Sequence, residues 1–281
     1  MLPVRNNLRI KYKIIALDLD GTLTNTQKEI PQRNIDALNE AQKHGVKVIL
    51  ASGRPIPGII PIADKIFLEK FDGYVMAYNG GLILDYQSKE TLYQKYLQPE
   101  FIPYIYNCSK KGDFVILSYK DEAIASEDTK NKYVVYAASL NRMPLLHLDD
   151  FLETFIFPVP KCIIAGEPEP LHQLELTMAR ESKGKLSICR SEPFFLEVMP
   201  YGIDKANGLA HLLNIIGIDK EEVIAIGDGY NDLKMIQYAG LGVALKNAAP
   251  EVCQVADFVT QTNNNEGGVA EAIEKFVLER G

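Results

Sequence analysis

Short apolar runs alternate with amphipathic segments at both ends of the chain. Apolar runs rich in β-branched residues are typical of buried strands, and apolar residues spaced three or four apart are typical of helices that pack on a sheet. The predicted strands lie at about 14–18, 46–51, 74–78, 223–226, 241–245 and 257–260. The predicted helices span about 31–44 and begin near 205, 231 and 266. This alternation predicts an α/β fold built on a doubly wound parallel sheet.

The middle of the chain has a different pattern. Strand-like runs lie at 114–119, 132–136, 162–165, 186–189 and 194–198, with a helical stretch at about 168–182. We expect a small open sheet with helices on one face. The predicted organisation is a discontinuous core domain of residues 1–85 and 199–281 and an inserted domain of residues 86–198. The hinges between them should lie near Asp85-Tyr86 and Met199-Pro200.

The first predicted strand ends in two carboxylates. The apolar run 14–17 leads directly into Asp18, Leu19 and Asp20, and Gly21 then allows a turn. Side chains alternate along a strand, so Asp18 and Asp20 project to the same side. Turn chemistry alone would explain an acidic residue and a glycine here. The pair also suits phosphoryl transfer, in which one carboxylate attacks and the other moves a proton.

A second acidic loop follows the strand predicted at 223–226. Residues 227–232 read Gly-Asp-Gly-Tyr-Asn-Asp. Asp228 leaves the strand at its carboxyl end, and Asn231 and Asp232 lie where a helix would begin. Helix capping would explain either of the last two residues, but not the whole hexapeptide.

The two acidic loops predict a cation site if their strands are neighbours. Asp18, Asp20, Asp228 and Asp232 would then meet at the carboxyl edge of the sheet, where open α/β sheets bind ligands. Two like charges about 4 Å apart cost about 4 kcal/mol at an effective dielectric of about 20, so several carboxylates stay ionised together only if a cation offsets them. Carboxylate and water oxygens suit Mg²⁺ better than zinc. We therefore expect Mg²⁺ as the cofactor.

Two further segments offer groups to a phosphate. Ser52 and Gly53 follow the strand at 46–51 and present a hydroxyl and backbone N–H groups, although an ordinary turn serine would also be found here. Lys205 stands where a predicted helix begins, so its ammonium can reach an anion near that N-terminus. A solvated surface lysine is the common alternative.

Taken in order, these segments resemble a known family. Residues 18–22 (Asp-Leu-Asp-Gly-Thr), 52–54 (Ser-Gly-Arg), Lys205 and 227–232 resemble the four motifs of the haloacid dehalogenase (HAD) superfamily of phosphatases. The long gap between the second and third motifs resembles the Cof-type branch, which inserts an α/β cap domain of the C2 type there and mostly hydrolyses small phosphorylated metabolites. The resemblance implies a Rossmann-like HAD core with a smaller α/β cap.

The resemblance also implies roles for individual residues. Asp18 would attack phosphorus to form an aspartyl-phosphate, and Asp20 would act first as acid and then as base. The implied phosphate-binding residues are Ser52, Gly53, Lys205 and Asn231. The implied Mg²⁺ ligands are Asp18, the backbone carbonyl of Asp20, and Asp228, with Asp232 either a direct ligand or one shell farther out. The loop at Asn79 and Gly80 is expected to lie beside the substrate.

Composition narrows the class of partner and the compartment. With 281 residues and 47% hydrophobic content the chain can bury a large core, and its net charge of −7 argues against nucleic acid as a partner. The four cysteines are widely spaced without a Cys-x-x-Cys, so we expect free thiols in a reducing cytoplasm. The apolar run after Arg5, Arg9, Lys11 and Lys13 is cut at Asp18, too early for a signal peptide or a membrane span.

We therefore expect a Mg²⁺-dependent phosphatase acting on a small phosphorylated metabolite. By resemblance the substrate would be a sugar phosphate. We expect the protein to be a monomer or a homodimer. Three alternatives stay open: a phosphatase of pyridoxal phosphate or FMN, a phosphotransferase or mutase, and a low-turnover protein that binds the phosphometabolite in regulation. The carboxylate of Asp20 provides an acid and base for turnover, which argues against the low-turnover regulatory protein.

Overall fold

The computed structural model of the protein describes residues 11–278. Arg5 and Arg9, and the first and last residues of the predicted core domain, therefore lie outside the described residues. The strands are β1 (Ile14–Leu17), β2 (Lys47–Ala51), β3 (Tyr74–Ala77), β4 (Leu82–Asp85), β5 (Thr91–Gln94), β6 (Val115–Lys120), β7 (Ala123–Ser126), β8 (Leu145–His147), β9 (Cys162–Ala165), β10 (Leu186–Glu192), β11 (Phe195–Pro200), β12 (Val223–Gly227), β13 (Leu241–Ala244) and β14 (Phe258–Val259). The helices are α1 (Gln32–Lys43), α2 (Ile56–Lys65), α3 (Ile102–Ser109), α4 (Lys132–Asn141), α5 (Phe151–Thr154), α6 (Pro168–Glu181), α7 (Lys205–Ile216), α8 (Leu233–Tyr238), α9 (Pro250–Val255) and α10 (Gly268–Phe276).

Eight strands form the first sheet, in the order β14-β13-β12-β1-β2-β3-β4-β5. Pairing is parallel from β14 to β3, and β4 and β5 add to the edge in antiparallel fashion. In the centre, Leu17 of β1 lies opposite Ile226 of β12 on one side and Leu50 of β2 on the other. The prediction of a doubly wound α/β fold is confirmed.

Both faces of the first sheet are covered by helices, which explains why its central strands are apolar throughout. Alternate residues of β1 enter different clusters, Ile15 with residues of α1 and α10, and Ile14 with residues of α7. Helix α7 begins at a defined cap, because the Asp204 side chain accepts a hydrogen bond from the Asn207 N–H at 2.8 Å. The first residue of α7, Lys205, is thereby fixed below the carboxyl edge of the sheet.

Six strands form the second sheet, in the order β10-β11-β9-β6-β7-β8. Its strands alternate between two environments: Cys162 and Ile164 of β9 pack with residues of α3, α5 and α6, whereas Ile163 and Ala165 belong to the cluster shared with the first sheet. The expectation of helices on one face is therefore incomplete. Helix α4 packs on the opposite face, between the two sheets.

The strand predicted at 132–136 is wrong, because these residues begin helix α4. The side chain of Asn131 accepts a hydrogen bond from the Tyr133 N–H at 3.0 Å and caps the helix. Val134, Ala137, Ala138 and Asn141 are buried at helical spacing. The β-branched pair at 134–135 favours a strand by itself, but the helical spacing of the buried residues that follow, up to Asn141, favours a helix.

The chain passes between the sheets farther along than expected. The inserted region is predicted to start at residue 86, but β5 still pairs with β4 in the first sheet. Leu97 then forms an isolated bridge with Val159, outside the strands of both sheets. Tyr86, predicted to lie at a hinge, is buried against the first domain, and its hydroxyl donates to Asp64 at 2.7 Å. The passing segments meet where Lys95 Nζ donates to the Tyr201 carbonyl at 2.7 Å.

The prediction of free thiols is confirmed. Cys108 and Cys162 are buried, Cys189 and Cys253 are partly buried, and all four are unbridged. Among the helices of residues 11–278, none combines the length and the apolar content that crossing a membrane requires.

Candidate active site

Asp18 and Asp228 emerge side by side from neighbouring strands. The Asp18 N–H donates to the Ile226 carbonyl at 3.0 Å, so the register of β1 and β12 continues to the end of both strands. Carboxylate oxygens of Asp18, Asp228 and Asp232 all lie within 4.8 Å of one another. The structure therefore brings these three residues together at the carboxyl edge, as the sequence predicted.

Lys205 bridges two members of this acidic cluster. Its Nζ lies 2.5 Å from Asp18 Oδ1 and 2.5 Å from Asp232 Oδ1, and all three side chains are buried. Burial lowers the pKa of Lys205, but the charges of Asp18 and Asp232 outweigh it and raise the pKa above its ordinary value. Lys205 is thus a permanent cation behind Asp18, in contact with carboxylates and not with solvent.

The surroundings of Asp228 suit a bound cation. Burial, together with the charges of Asp18 and Asp232, raises the pKa of Asp228 to about 8. Burial and the charge of Asp232 raise the pKa of Asp18 to about 7, although Lys205 opposes them. Thr22 Oγ1 donates to Asp228 Oδ1 at 2.5 Å, and a Cβ at Gly21 would collide with the same carboxylate. A second positive charge here would relieve the repulsion, and the carboxylate oxygens are the donors that Mg²⁺ prefers.

Asp232 uses both of its oxygens within the protein. Oδ1 accepts from Lys205, and Oδ2 accepts from the N–H groups of Asp228 at 3.1 Å and Gly229 at 2.9 Å. The residue is fully buried. This arrangement orients the loop that carries Asp228 and favours an indirect role for Asp232 over direct ligation.

Asp20 is held by two basic side chains. Arg54 donates to both of its carboxylate oxygens, and Lys28 Nζ donates to Oδ1 at 2.8 Å. Burial raises the pKa of Asp20, but the hydrogen bonds and charge of Arg54, with Lys28, outweigh it and lower the pKa to about 2. Neither contact with Asp20 was predicted from the sequence. Arg54 directly follows Ser52 and Gly53, which is a local sign of a place near the site, but no local pattern marks Lys28.

The residues predicted to bind phosphate and those predicted to lie beside the substrate are placed differently. Ser52, Gly53 and Asn231 line a common cavity with Asp18 and Asp20. Asn79 and Gly80 do not line it. Asn79 is buried behind the cavity wall, where its Oδ1 accepts from Asn231 Nδ2 at 3.1 Å. Gly80, with φ of +92°, packs against the start of α7, where a Cβ would lie 3.0 Å from Gly208 Cα.

The cavity of about 710 Å³ lies between the two sheets and opens onto the carboxylates. The second sheet and α4 contribute a mixed wall that includes Tyr119, Tyr136, Phe195 and Glu192. An ion pair joins the two halves within this lining, with Lys28 Nζ 3.6 Å from Glu192 Oε1. A ligand that reaches Asp18 therefore meets side chains from both halves of the cavity wall.

Comparisons with known proteins agree with this geometry. The profile of a family described as haloacid dehalogenase-like hydrolase matches residues 15–273. The Bacillus subtilis protein named "Putative phosphatase YxeH" is 34% identical over 270 residues, which cover 95% of this chain and 99% of that protein. A second Bacillus subtilis protein, named 5-amino-6-(5-phospho-D-ribitylamino)uracil phosphatase YcsE, is 31% identical over 276 residues, which cover 96% of this chain and 97% of that protein. The crystal structure of a haloacid dehalogenase-like hydrolase from Bacteroides thetaiotaomicron has 46% sequence identity and a TM-score of 0.84, with 94% of this chain and 99% of that chain covered.

Proposed function

The chain belongs to the haloacid dehalogenase-like hydrolases, and we propose that it is a Mg²⁺-dependent phosphatase that hydrolyses a small phosphorylated metabolite through an aspartyl-phosphate on Asp18. The observation that carries this proposal is that Asp18 and Asp20 line one cavity, while Lys205 pairs with Asp18. The names of the relatives, which are phosphatases, support the same reaction.

Asp18 is the proposed nucleophile. Its Oδ1 is fixed by Lys205, which leaves Oδ2 to attack phosphorus. The new bond from Asp18 to phosphorus forms as the bond from phosphorus to the leaving oxygen breaks. Water then attacks the same phosphorus, releases inorganic phosphate and restores the Asp18 carboxylate. The ammonium of Lys205 opposes the rise in the pKa of Asp18 that burial and Asp232 cause, and so favours the carboxylate form that attacks.

Asp20 moves the protons in both steps. In the first step a protonated Asp20 gives its proton to the leaving alcohol oxygen, and in the second the Asp20 carboxylate removes a proton from the attacking water. With Arg54 and Lys28 bound to it, Asp20 is ionised and is suited to the second step. The negative charge of a bound phosphate ester would raise its pKa again and suit it to the first.

The residues around the acidic cluster fit a Mg²⁺ ion. Asp18, the backbone carbonyl of Asp20, and Asp228 would hold it, and Asp232 would orient Asp228 through the loop amides. When bound, Mg²⁺ would offset the charge of the phosphoryl oxygens next to Asp18. On the other side of the phosphate, the Ser52 hydroxyl, the Gly53 N–H and the Asn231 amide would donate hydrogen bonds to its oxygens.

A sugar phosphate is the proposed substrate class. The cavity wall carries charged and polar side chains that suit hydroxyl groups, and one relative is named for a substrate with a phosphorylated ribityl chain. The aromatic part of the wall, with Tyr119, Tyr136 and Phe195, favours a second candidate, a flat phosphorylated cofactor such as pyridoxal phosphate or FMN. The free cysteines support a reducing compartment such as the cytoplasm.

Phosphate release across a panel of phosphorylated sugars and cofactors tests the proposal. We expect release that EDTA abolishes and Mg²⁺ restores. Ca²⁺ should not replace Mg²⁺, because its longer and looser ligand shell misplaces the attacking carboxylate. Asp18→Asn is the control for a contaminating phosphatase and should release no phosphate. Release that persists in excess chelator, or in Asp18→Asn, would contradict the proposal.

A further inference from the structure

A buried ion pair faces the first sheet from the second. Lys161 Nζ, one residue before β9, lies 2.7 Å from Glu197 Oε1 of β11, and the two side chains are 1% and 3% exposed. The neighbours of Glu197 in sequence, Leu196 and Val198, pack on the opposite face with α3 and α6. Both charged side chains therefore point away from the core of the second sheet and line the cavity.

The remaining hydrogen bonds of this pair all reach the first sheet. Lys161 Nζ donates to the Gly53 carbonyl at 2.6 Å. Glu197 Oε2 accepts from Asn79 Nδ2 at 2.6 Å, and Asn79 Oδ1 in turn accepts from Asn231 Nδ2 at 3.1 Å. Two chains of contacts thus start at one ion pair and end at Gly53 and Asn231, two of the groups proposed to hold the phosphate.

The backbone of the first sheet is shaped to receive the pair. Asn79 has a left-handed φ of +55°, which is strained for a residue with a side chain and directs its amide at Glu197. A Cβ at Gly53 would lie 3.2 Å from Glu197 Oε1 and 3.3 Å from Asn79 Oδ1, so glycine leaves the room that the carboxylate occupies. Both features place groups of the first domain beside the Glu197 carboxylate at the contact between the sheets.

A buried ion pair is costly unless its other hydrogen bonds are also made. Lys161 and Glu197 complete theirs only with Gly53 and Asn79, so the pair is fully satisfied only while the second sheet lies against the first. Apolar residues would fill the same space without this requirement. The pair therefore links the closed arrangement of the sheets to the position of the phosphate-binding loops.

We propose that Lys161 and Glu197 are positioning residues for the phosphate site. They hold Gly53 directly, and Asn231 through Asn79, so that the donors to the phosphate are in place only when the second sheet closes over the cavity. The inference rests on the proposed phosphatase function. Because these residues act on the phosphate side, their loss affects every ester alike, whatever its leaving group.

Glu197→Gln tests the inference in kinetic assays with p-nitrophenyl phosphate and a hexose 6-phosphate in Mg²⁺. We expect kcat/KM to fall by about 10- to 100-fold for both esters, with their ratio kept within about threefold. The matched control is Glu127→Gln, because Glu127 also pairs with a lysine, Lys110, and its hydrogen bonds with Tyr106 and Phe151 stay on the side of the second sheet. That variant should keep wild-type kinetics. A ratio that changes by about tenfold, or activity within about twofold of wild type, would overturn the proposal.

Two further variants separate positioning from folding. Lys161→Met/Glu197→Leu replaces the pair by apolar side chains, which restores packing and leaves no buried charge. It should melt near the wild-type temperature and still show the loss of kcat/KM; a stable double variant with wild-type kcat/KM would overturn the proposal.

Asn79→Gly keeps the left-handed backbone and removes the amide. The double variant Asn79→Gly/Glu197→Gln should lose no more kcat/KM than the more impaired of the two single variants. If the two losses of kcat/KM instead add, the residues do not act through one chain of contacts.

Calorimetric binding of inorganic phosphate in Mg²⁺ separates this inference from the proposed function, because it needs no turnover. If the wild-type protein hydrolysed no ester, the proposed function would fail while this comparison still decided the positioning role. We expect about tenfold weaker phosphate binding by Glu197→Gln and unchanged binding by Glu127→Gln. Equal binding by wild type and Glu197→Gln would overturn the inference.

Discussion

Arg54 donates two parallel hydrogen bonds to the carboxylate of Asp20, from Nε to Oδ2 at 2.6 Å and from Nη2 to Oδ1 at 2.5 Å. Arg54 is itself fixed, because its Nη1 donates to the Gly58 carbonyl at 3.1 Å. The planar guanidinium matches both oxygens at once, which a lysine cannot do. The proposed proton carrier is therefore oriented by the residue that ends the Ser-Gly-Arg segment.

Removal of Arg54 should change the pH profile of turnover. In Arg54→Met the desolvation of Asp20 remains while its main partner is lost, so the pKa of Asp20 should rise from about 2. A base whose pKa rises is protonated at higher pH, so the acidic limb of the kcat profile should move upward by about one pH unit or more. Arg54→Lys should recover only part of this shift. An acidic limb that stays in place in Arg54→Met would contradict the assignment.

The parts of the site that sequence could predict are the ones encoded locally. Asp18 follows directly after a buried apolar run, and Asp228 does the same. Their proximity needed only the assumption that the two strands are neighbours, because the ends of parallel strands meet at one edge. The doubly wound fold of both ends of the chain could be predicted because its strands and helices are also marked by local patterns of apolar residues.

The contacts that no local pattern encodes could not be predicted. Glu197 is 118 residues from Asn79, and Lys161 is 108 residues from Gly53. A single glutamate in a strand-like run gives no sign of its partner. The error at α4 was of another kind, because the cap at Asn131 and the helical spacing through Asn141 were present in the sequence but were outweighed by a short β-branched run.

The stability of the metal-free protein should depend on pH through the acidic cluster. The pKa values of Asp18 and Asp228 are raised from the usual 3.8 to about 7 and about 8, so the folded state binds these protons more tightly than the unfolded state. Folded-state stability therefore falls as pH rises from about 4 to about 8. Mg²⁺ binds the ionised carboxylates, so its stabilising effect should grow over the same range.

Melting temperatures measured with and without Mg²⁺ between about pH 5 and pH 9 check this prediction. Asp228→Asn removes one of the titrating groups and one proposed ligand, so both the pH dependence and the Mg²⁺ effect should shrink. A Mg²⁺ effect that is larger at about pH 5 than at about pH 8 would show that the cluster is not the binding site.

Substrate ranking should depend on the wall contributed by the second sheet. Glu192 lines the cavity on the side of Asp20 and pairs with Lys28 at 3.6 Å. We expect Glu192→Gln to change kcat/KM unequally among phosphorylated sugars and cofactors, because it alters contacts to the leaving group and not to the phosphate. The measurement is the same substrate panel for both proteins. If kcat/KM changes by the same factor for every substrate, Glu192 acts on the phosphate side, as proposed for Lys161 and Glu197, and does not contact the leaving group.

Trapping the phosphoryl group on the protein decides whether Asp18 is the nucleophile. p-Nitrophenol leaves without needing a proton, so in Asp20→Asn the first step should proceed while hydrolysis is slowed by about 10²–10⁴-fold. We predict that acid quenching of this variant with p-nitrophenyl phosphate and Mg²⁺, followed by peptide mass spectrometry, finds a phosphoryl group on Asp18. The same experiment on Asp18→Asn/Asp20→Asn should find none. A phosphoryl group on another residue, or continued release of phosphate by Asp18→Asn, would contradict the account.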